Sequence, residues 1–221
     1  VALTTAQISA ITTAGVAAMS TAQAAAIQTT DVAQLRTSQV AALTTAGAAA
    51  LTTAQVQALT TSGVASLTTS QVAAIETADI AVLKTSQIAA LKTSQVAALT
   101  TDQVVALTTS QVSNLTTANI AALTTSQVAA IEATDIAALK TSQIVALSTA
   151  GIAALTVEQV GALSTADGKM KVTREELLRV PGPAPKSPEE SLKTMRVKPG
   201  YEIKLVAQEP LVQDPVFIDW D

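Results

Sequence analysis

The chain has 221 residues, a net charge of −4 and only 14% charged residues, so it lacks the basic surface typical of nucleic-acid-binding domains. It has no cysteine and no histidine, which excludes disulfides and thiolate metal sites and removes the usual general base of enzymes. Thr, Ser and Gln interrupt every apolar run before it reaches the ~20 residues of a membrane-spanning helix. We therefore expect no nucleic acid, no membrane span and no cofactor, and we assign no catalytic, cofactor-binding or metal-ligating residue.

Residues 3–162 form twenty consecutive units of eight residues without an insertion. Position 1 is always Leu, Ile or Met, and position 6 is Val or Ile except at Ala24 and Ala48. Position 3 is almost always Thr, position 5 is Gln, Gly, Asp or Asn, and position 8 is mostly Ala. Position 2 accepts Lys, Arg and Glu as well as Thr and Ser. This pattern predicts that positions 1 and 6 face a core, that position 2 faces water, and that another segment packs close to position 8.

Thr at position 2 with Gln at position 5 makes a capping box, as in residues 52–55 (Thr-Thr-Ala-Gln), where the first Thr and the Gln satisfy each other's backbone N–H groups. Val56 and Leu59 then lie three residues apart, and Leu51 stands where a hydrophobic staple would. The octad thus predicts a helix of about one and a half turns. So short a helix is stable only when it stacks on its neighbours. Where Lys or Glu occupies position 2, we expect Thr at position 3 to take over the capping.

The predicted fold class is therefore mainly α, a solenoid of stacked short helices with one octad each. A β-solenoid is the alternative, although positions 1 and 3 differ in parity from positions 6 and 8, so alternation fails inside a unit. Long helices are a third possibility. In one continuous helix the apolar face would turn by ~80° per unit, and the repeated Thr residues disfavour it.

Two sets of residues could carry chemistry. The Thr rows resemble the faces of ice-binding proteins, but backbone capping is the simpler role for Thr at position 3. The carboxylates Glu76, Asp79, Glu132 and Asp135 could be interpreted as acid–base pairs, yet they recur with the repeat and have no histidine or metal cluster beside them. We interpret these four as solvated surface residues.

Residues 3–165 resemble the Leu-Thr-Thr-x-Gln-Val-x-Ala-Leu repeats of large secreted or surface proteins of bacteria. The resemblance implies a spacer, an adhesin stalk or a surface-layer element with an unknown protein or surface partner. It carries no active site. The resemblance predicts an extracytoplasmic location, whereas the absence of cysteine fits both bacterial surface repeat proteins and cytosolic ones.

The composition changes after the octads. Residues 166–179 resemble a degenerate EF-hand, in which either Lys169 or Arg174 occupies a ligand position, depending on whether Glu176 or Gly168 sets the register. We expect no calcium there and a short capping helix from Thr173 instead. Residues 180–196 are predicted to be a Pro-rich linker. Residues 197–221 alternate as strands do, and are predicted to start a β domain.

Residues 187–221 resemble the opening of the β-propeller of planctomycete-type membrane-bound dehydrogenase and haem-binding proteins. The segments that carry this resemblance are Ser-Pro-Glu-Glu-Ser-Leu at 187–192 and the stretch from Pro199-Gly200-Tyr201 to Trp220. The resemblance implies an exported oxidoreductase whose chemistry lies beyond Asp221. Because the chain starts at Val1 and stops after an apolar stretch, we expect it to be a fragment of a longer protein.

The sequence thus divides into a repeat solenoid (1–165), an EF-hand-like or capping segment (166–179), a linker (180–196) and a truncated β domain (197–221). The predicted function is a non-enzymatic structural spacer or stalk of an exported bacterial protein, with a possible adhesive role. The alternatives are the N-terminal part of an oxidoreductase whose catalytic region lies elsewhere, and ice or surface binding by the Thr rows.

Overall fold

The computed structural model describes residues 5–163, with side-chain burial from residue 6 onward. This part of the chain consists of twenty short α-helices, one in each octad. The helices are α1 (Thr5–Ala10), α2 (Thr13–Ala17), α3 (Thr21–Ala25), α4 (Thr29–Val32), α5 (Thr37–Ala42), α6 (Thr45–Ala49), α7 (Thr53–Ala58), α8 (Thr61–Ser66), α9 (Thr69–Ala74), α10 (Thr77–Ala81), α11 (Thr85–Ala89), α12 (Thr93–Ala97), α13 (Thr101–Val105), α14 (Thr109–Val112), α15 (Thr117–Ala121), α16 (Thr125–Ala130), α17 (Ala133–Ala138), α18 (Thr141–Ala146), α19 (Thr149–Ala153) and α20 (Val157–Ala162).

These helices confirm the α-solenoid, and residues 5–163 contain neither a β-strand nor a long helix. The contacts within the chain define two units, Val1–Arg179 and Val180–Asp221, and every described residue lies in the first. The predicted calcium-free capping segment (166–179), the linker (180–196) and the β domain (197–221) lie outside the described residues.

Capping boxes separate one helix from the next. Thr52 has extended backbone angles (φ −72°, ψ 158°), and its hydroxyl accepts a hydrogen bond from the Gln55 N–H at 3.4 Å. Gln55 Oε1 in turn accepts from the Thr52 N–H at 2.7 Å. That second bond occupies the N–H that a continuous helix would bond to the carbonyl four residues earlier. The helix therefore restarts at each of these glutamines, although no proline stands in the array. In units with Gly, Asp or Asn at position 5, the restart is marked by the extended backbone of the N-cap residue.

The helices stack with a spacing of three. Each one contacts the third helix along the chain, as α5 contacts α8, α6 contacts α9 and α17 contacts α20. The Gln95 side chain, at the start of α12, bonds to carbonyls at the junction between α8 and α9. A helix therefore packs on the helix three before it in the chain. Its position-5 side chain extends to the end of the helix four before it. The chain completes a superhelical turn in a little more than three octads.

A continuous apolar column runs through the stack. Positions 1 and 6 supply it, and their buried side chains form one cluster from Ile8 to Leu163. Positions 2 to 4 are exposed throughout the described residues apart from half-buried Ala133, and position 8 is only half-buried in most units. These findings confirm the predicted inward and outward positions, and they show that position 8 does not belong to the central core. The column is well filled, since a void of about 10 Å³ between residues 56 and 99 is lined only by Val, Leu and Ile and has room for about one water.

Candidate functional site

The most distinctive feature of the described chain is a row of buried polar side chains at position 5. We call this row the position-5 seam. Its glutamines are at most 2% exposed, although they occupy the capping position beside a solvated helix start. The buried glutamines of the seam are Gln39, Gln55, Gln71, Gln87, Gln95, Gln103, Gln111, Gln127, Gln143 and Gln159.

Each of these glutamines has two partners at once. Gln95 Oε1 accepts a hydrogen bond from the Lys92 N–H at 2.7 Å, within its own unit. Its Nε2 donates to Val64 O and Leu67 O, both at 2.8 Å, on the preceding superhelical turn. The same two carbonyl positions, 31 and 28 residues back, accept from Gln127 at 2.8 and 2.7 Å. One side-chain amide thus bonds to the backbone N–H at a helix start and to two backbone carbonyls of the preceding turn. A buried amide requires hydrogen-bond partners for both its oxygen and its nitrogen.

The first turn shows what the seam contributes. Gln23 makes the same capping bond to the Ser20 N–H at 2.8 Å, but no residue of this sequence stands 28 or 31 positions before it, and its side chain is exposed. Gln39 is the first glutamine whose Nε2 reaches back, and it donates to Ile8 O at 2.9 Å and Ile11 O at 2.8 Å. The capping half of the glutamine's role was predicted from the sequence. The bond between turns was not, because it joins residues that are four units apart.

The prediction that four carboxylates of the array are solvated surface residues is wrong for two of them. Glu76 and Glu132 are exposed N-cap residues, as expected. Asp79 and Asp135 are position-5 residues and are only 4% and 3% exposed. Asp135 accepts a hydrogen bond from the hydroxyl of Thr109, one superhelical turn below, at 2.6 Å. These carboxylates lie where other units place an amide, and they cannot donate to the carbonyls behind them.

Asn119 and the glycines complete the set of seam residues. Asn119 Nδ2 donates to Leu91 O at 3.1 Å, so a side chain one methylene shorter than Gln still reaches the carbonyl 28 residues back. Gly47, Gly63 and Gly151 are buried at the same position and have no side chain to bridge the turns. The seam is thus bonded in some units and open in others.

Positions 2, 3 and 4 form an exposed surface, which we call the outer strip. Thr at position 3 is the first helical residue and is exposed. Position 2 is the N-cap in every case, including the units in which it is charged, as at Arg36, Glu76, Lys84 and Lys92. The expectation that Thr at position 3 takes over capping is therefore wrong. Lys and Arg side chains have no acceptor atom, so in the units with Arg36, Lys84 or Lys92 only the bond from the N-cap N–H to the glutamine forms, as at Lys84 (2.7 Å).

In residues 5–163 no three His, Cys, Asp or Glu residues come together as a metal site would need, and the amides of the buried glutamines are bonded to the backbone, as at Gln95. No helix among the described residues is long and apolar enough to cross a membrane. The outer strip exposes hydroxyl and methyl groups in regular rows, and the ice-binding alternative stays a prediction.

Two family models match parts of the chain. The model of the ALTTAQ repeat matches residues 24–61, 72–109 and 128–165, which together make up just over half of the chain. Residues 187–221 match a family described as a domain of unknown function, DUF7133. That description names no activity, so the resemblance of this segment to membrane-bound dehydrogenases stays a prediction. No curated protein and no solved structure matches the chain.

Proposed function

We propose that the octads of this chain, which belongs to the ALTTAQ repeat family, form a stiff spacer. The role of the spacer would be to keep the segments on either side of the array at a fixed distance. The position-5 seam carries this proposal. A protein of stacked units is as stiff as the contacts between its turns. Here buried hydrogen bonds as well as apolar packing join those turns.

The chemistry of the seam supports a mechanical role. Gln71 Nε2, for example, donates to Leu43 O at 2.6 Å and Val40 O at 3.2 Å. Bending one turn away from the next would break such bonds. The Val40 carbonyl would keep the bond from the Leu43 N–H, whereas a buried carbonyl that loses its donor, as that of Leu43 would, costs about 1–3 kcal/mol. The apolar column in the same layer would open as well. Stiffness is therefore a consequence of the repeat itself.

The finer part of the proposal is that this spacer works outside the cytoplasm of a bacterium, as a stalk. Its support is the resemblance of the octads to secreted and surface repeat proteins. The outer strip suits such a location, because most of it is uncharged Thr, Ser and Ala. An adhesive role would use this same strip.

A distance measurement tests the spacer. The chain has no cysteine, so spin labels on Thr53→Cys and Thr149→Cys, both exposed, report one defined distance. Twelve octads separate the two sites. They correspond to about four superhelical turns, which at the usual 8–10 Å between packed helices gives roughly 35 Å. A single narrow distribution near that value supports the spacer, and a broad one in native buffer would contradict it. The same pair in urea provides the unfolded control.

A second candidate function depends on residues 187–221. If this segment begins a β-propeller of the oxidoreductase kind that it resembles, the spacer would carry a redox domain. The test is the coding sequence downstream of Asp221. A Cys-x-x-Cys-His motif among further propeller strands would support an oxidoreductase, and the absence of such strands would rule it out without affecting the spacer.

A further inference from the structure

The exposed charges of the array come in matched pairs. Among residues 5–163, eight charged side chains are exposed, four acidic and four basic. Each of them has a counterpart of the same sign 56 residues away, which is seven octads. The pairs are Glu76 and Glu132, Asp102 and Glu158, Lys84 and Lys140, and Arg36 and Lys92. The charge pattern therefore repeats along the solenoid.

Hydrogen bonds at the surface show which residues lie one above another on neighbouring turns. Gln57 Nε2 donates to Val82 O, 25 residues later, at 3.4 Å. Thr109 Oγ1 donates to Asp135 Oδ1, 26 residues later, at 2.6 Å. Residues about 26 apart are thus stacked on neighbouring turns. Because the helices also stack with a spacing of three, one octad forms one side of a turn.

One side of the solenoid has an acidic edge and a basic edge. The acidic edge has one carboxylate in each of four successive turns. It consists of Glu76, Asp102, Glu132 and Glu158, which follow one another at 26, 30 and 26 residues. Lys84 and Lys140 each follow one of these glutamates by one octad, so they lie at the other edge of the same side. We call the surface between the two edges the charged side.

An exposed valine lies within the charged side. The residues 26 positions after Glu76 and Lys84 are Asp102 and Ser110, and Val105 stands between these two. Val105 is 45% exposed at position 7, which is Ala in most units. The charged side therefore has an apolar centre and a charged rim, which is the anatomy of a protein–protein interface.

We propose that two copies of this chain associate through their charged sides, parallel to each other and related by a twofold axis that runs along the array. Such an axis exchanges left and right but keeps the chain direction, so the acidic edge of each copy meets the basic edge of the other. Glu76 then faces Lys84 of the second copy, and Glu132 faces Lys140. All four ion pairs form together, because the glutamates and the lysines have the same 56-residue spacing. An antiparallel pair would place acidic edge on acidic edge.

The size of the charged side indicates a weak dimer. One octad is roughly 15 Å wide and four turns are roughly 35 Å tall. About 500 Å² of each copy would be covered, which is at the low end for a specific interface. Exposed ion pairs each contribute little, and salt screens them. We therefore expect dimers in low salt and monomers in about 0.5 M salt.

Charge reversal in the full chain tests the pairing by sedimentation velocity at about 20 mM salt, where screening is weak. The wild-type chain should be dimeric at concentrations up to about 1 mM, the range of weak complexes. The variant with Glu76→Lys and Glu132→Lys should be monomeric, and so should the variant with Lys84→Glu and Lys140→Glu. An equimolar mixture of the two variants should dimerise, because every pair is then of opposite charge.

A matched control separates the charged side from net charge. Arg36→Glu with Lys92→Glu changes the net charge as much as the lysine variant does, but neither residue lies on the charged side, so this control should dimerise like the wild-type chain. A monomeric wild-type chain in low salt would overturn the proposal. A dimer that persists in both charge-reversed variants would also overturn it, and would assign the contact to another part of the chain. Both results leave the spacer untouched.

A single cysteine tests the twofold axis, because the chain has no other thiol. Val105→Cys lies near the centre of the charged side, so the thiols of the two copies should oxidise to a linked dimer in low salt, as a bridge needs Cα atoms within about 7 Å. The control is Val145→Cys, also at position 7 and 41% exposed, but five residues beyond Lys140 and outside the charged side. It should remain reduced. Equal linkage of both variants, or no linkage of Val105→Cys, would contradict the proposed arrangement.

Discussion

The position-5 seam and the outer strip are both polar, and they are adjacent in every octad, yet they obey different rules. The outer strip changes from Thr to Lys or Glu with no change in the helix that follows. The seam is restricted to Gln, Gly, Asp and Asn, and its glutamines bond to two turns at once. The comparison shows that a polar position of the repeat can belong to the core. Such a position is recognised by the small number of residue types that it accepts, and its polarity alone does not identify it.

The largest expected effect comes from placing a charge inside the column. Val96 is 0% exposed, and Val96→Asp would bury an unpaired carboxylate, which we expect to lower the free energy of unfolding by roughly 4 kcal/mol. Lys92→Glu, four residues earlier on the outer strip, should change it by less than ~0.5 kcal/mol. Urea unfolding of the full chain measures both. Similar losses in the two variants would remove the distinction between core and strip.

Replacing a seam glutamine separates capping from bonding between turns. Gln95→Ala removes three hydrogen bonds and should cost about 3 kcal/mol, at about 1 kcal/mol for each bond. Gln23→Ala removes only the bond to the Ser20 N–H, so we expect a loss of about 1 kcal/mol. The difference between the two variants is the contribution of the preceding turn. Equal losses would mean that the bonds between turns add nothing to stability.

Filling an open seam position should stabilise the protein. A Cβ at Gly63 would meet only side chains, the nearest being Thr60 Oγ1 at 3.2 Å, and Gln71 already combines a side chain with a Thr cap of this kind. Gly63→Gln would reach Val32 O and Leu35 O, the carbonyls 31 and 28 residues back. We expect a gain of about 3 kcal/mol, of which about 1 kcal/mol is helix propensity and about 1 kcal/mol comes from each of the two new bonds. Gly63→Ala measures the propensity alone, and calorimetric melting should rank Gln above Ala.

The sequence predicts most of this fold for identifiable reasons. The Thr-x-x-Gln spacing and the apolar positions act within one octad, so they predicted the helices, their starts and the inward residues such as Val56. The seam joins Gln95 to carbonyls 28 and 31 residues away, and nothing inside a unit encodes that distance. The sequence does contain one indication that position 5 is buried. This position never carries Lys, Thr or Ala, and such a narrow choice of residues indicates a constrained environment that could have identified the burial of Asp79.

The smallest expected effect concerns the buried acids. Asp79 lies 31 and 28 residues after Ala48 and Leu51, so its carboxylate occupies the place of an amide donor. Asn119, an isostere, donates to the equivalent carbonyl at 3.1 Å. Asp79→Asn should therefore stabilise the fold by about 1 kcal/mol. Asp102→Asn, on the outer strip, is the control and should have no measurable effect in the same urea titration. A loss of stability in Asp79→Asn would indicate that the carboxylate has a role that an amide cannot fill.

The most direct test of the seam is proton exchange at the glutamine side chains themselves. In a native-state NMR experiment, the Nε2 protons of Gln95 should exchange far more slowly than those of Gln23, because both donate to buried carbonyls in the first case and face water in the second. The account predicts slow exchange for the buried glutamines as a group, including Gln103 and Gln127. Fast exchange at Gln95, equal to that at Gln23, would show that the turns are not joined by these bonds.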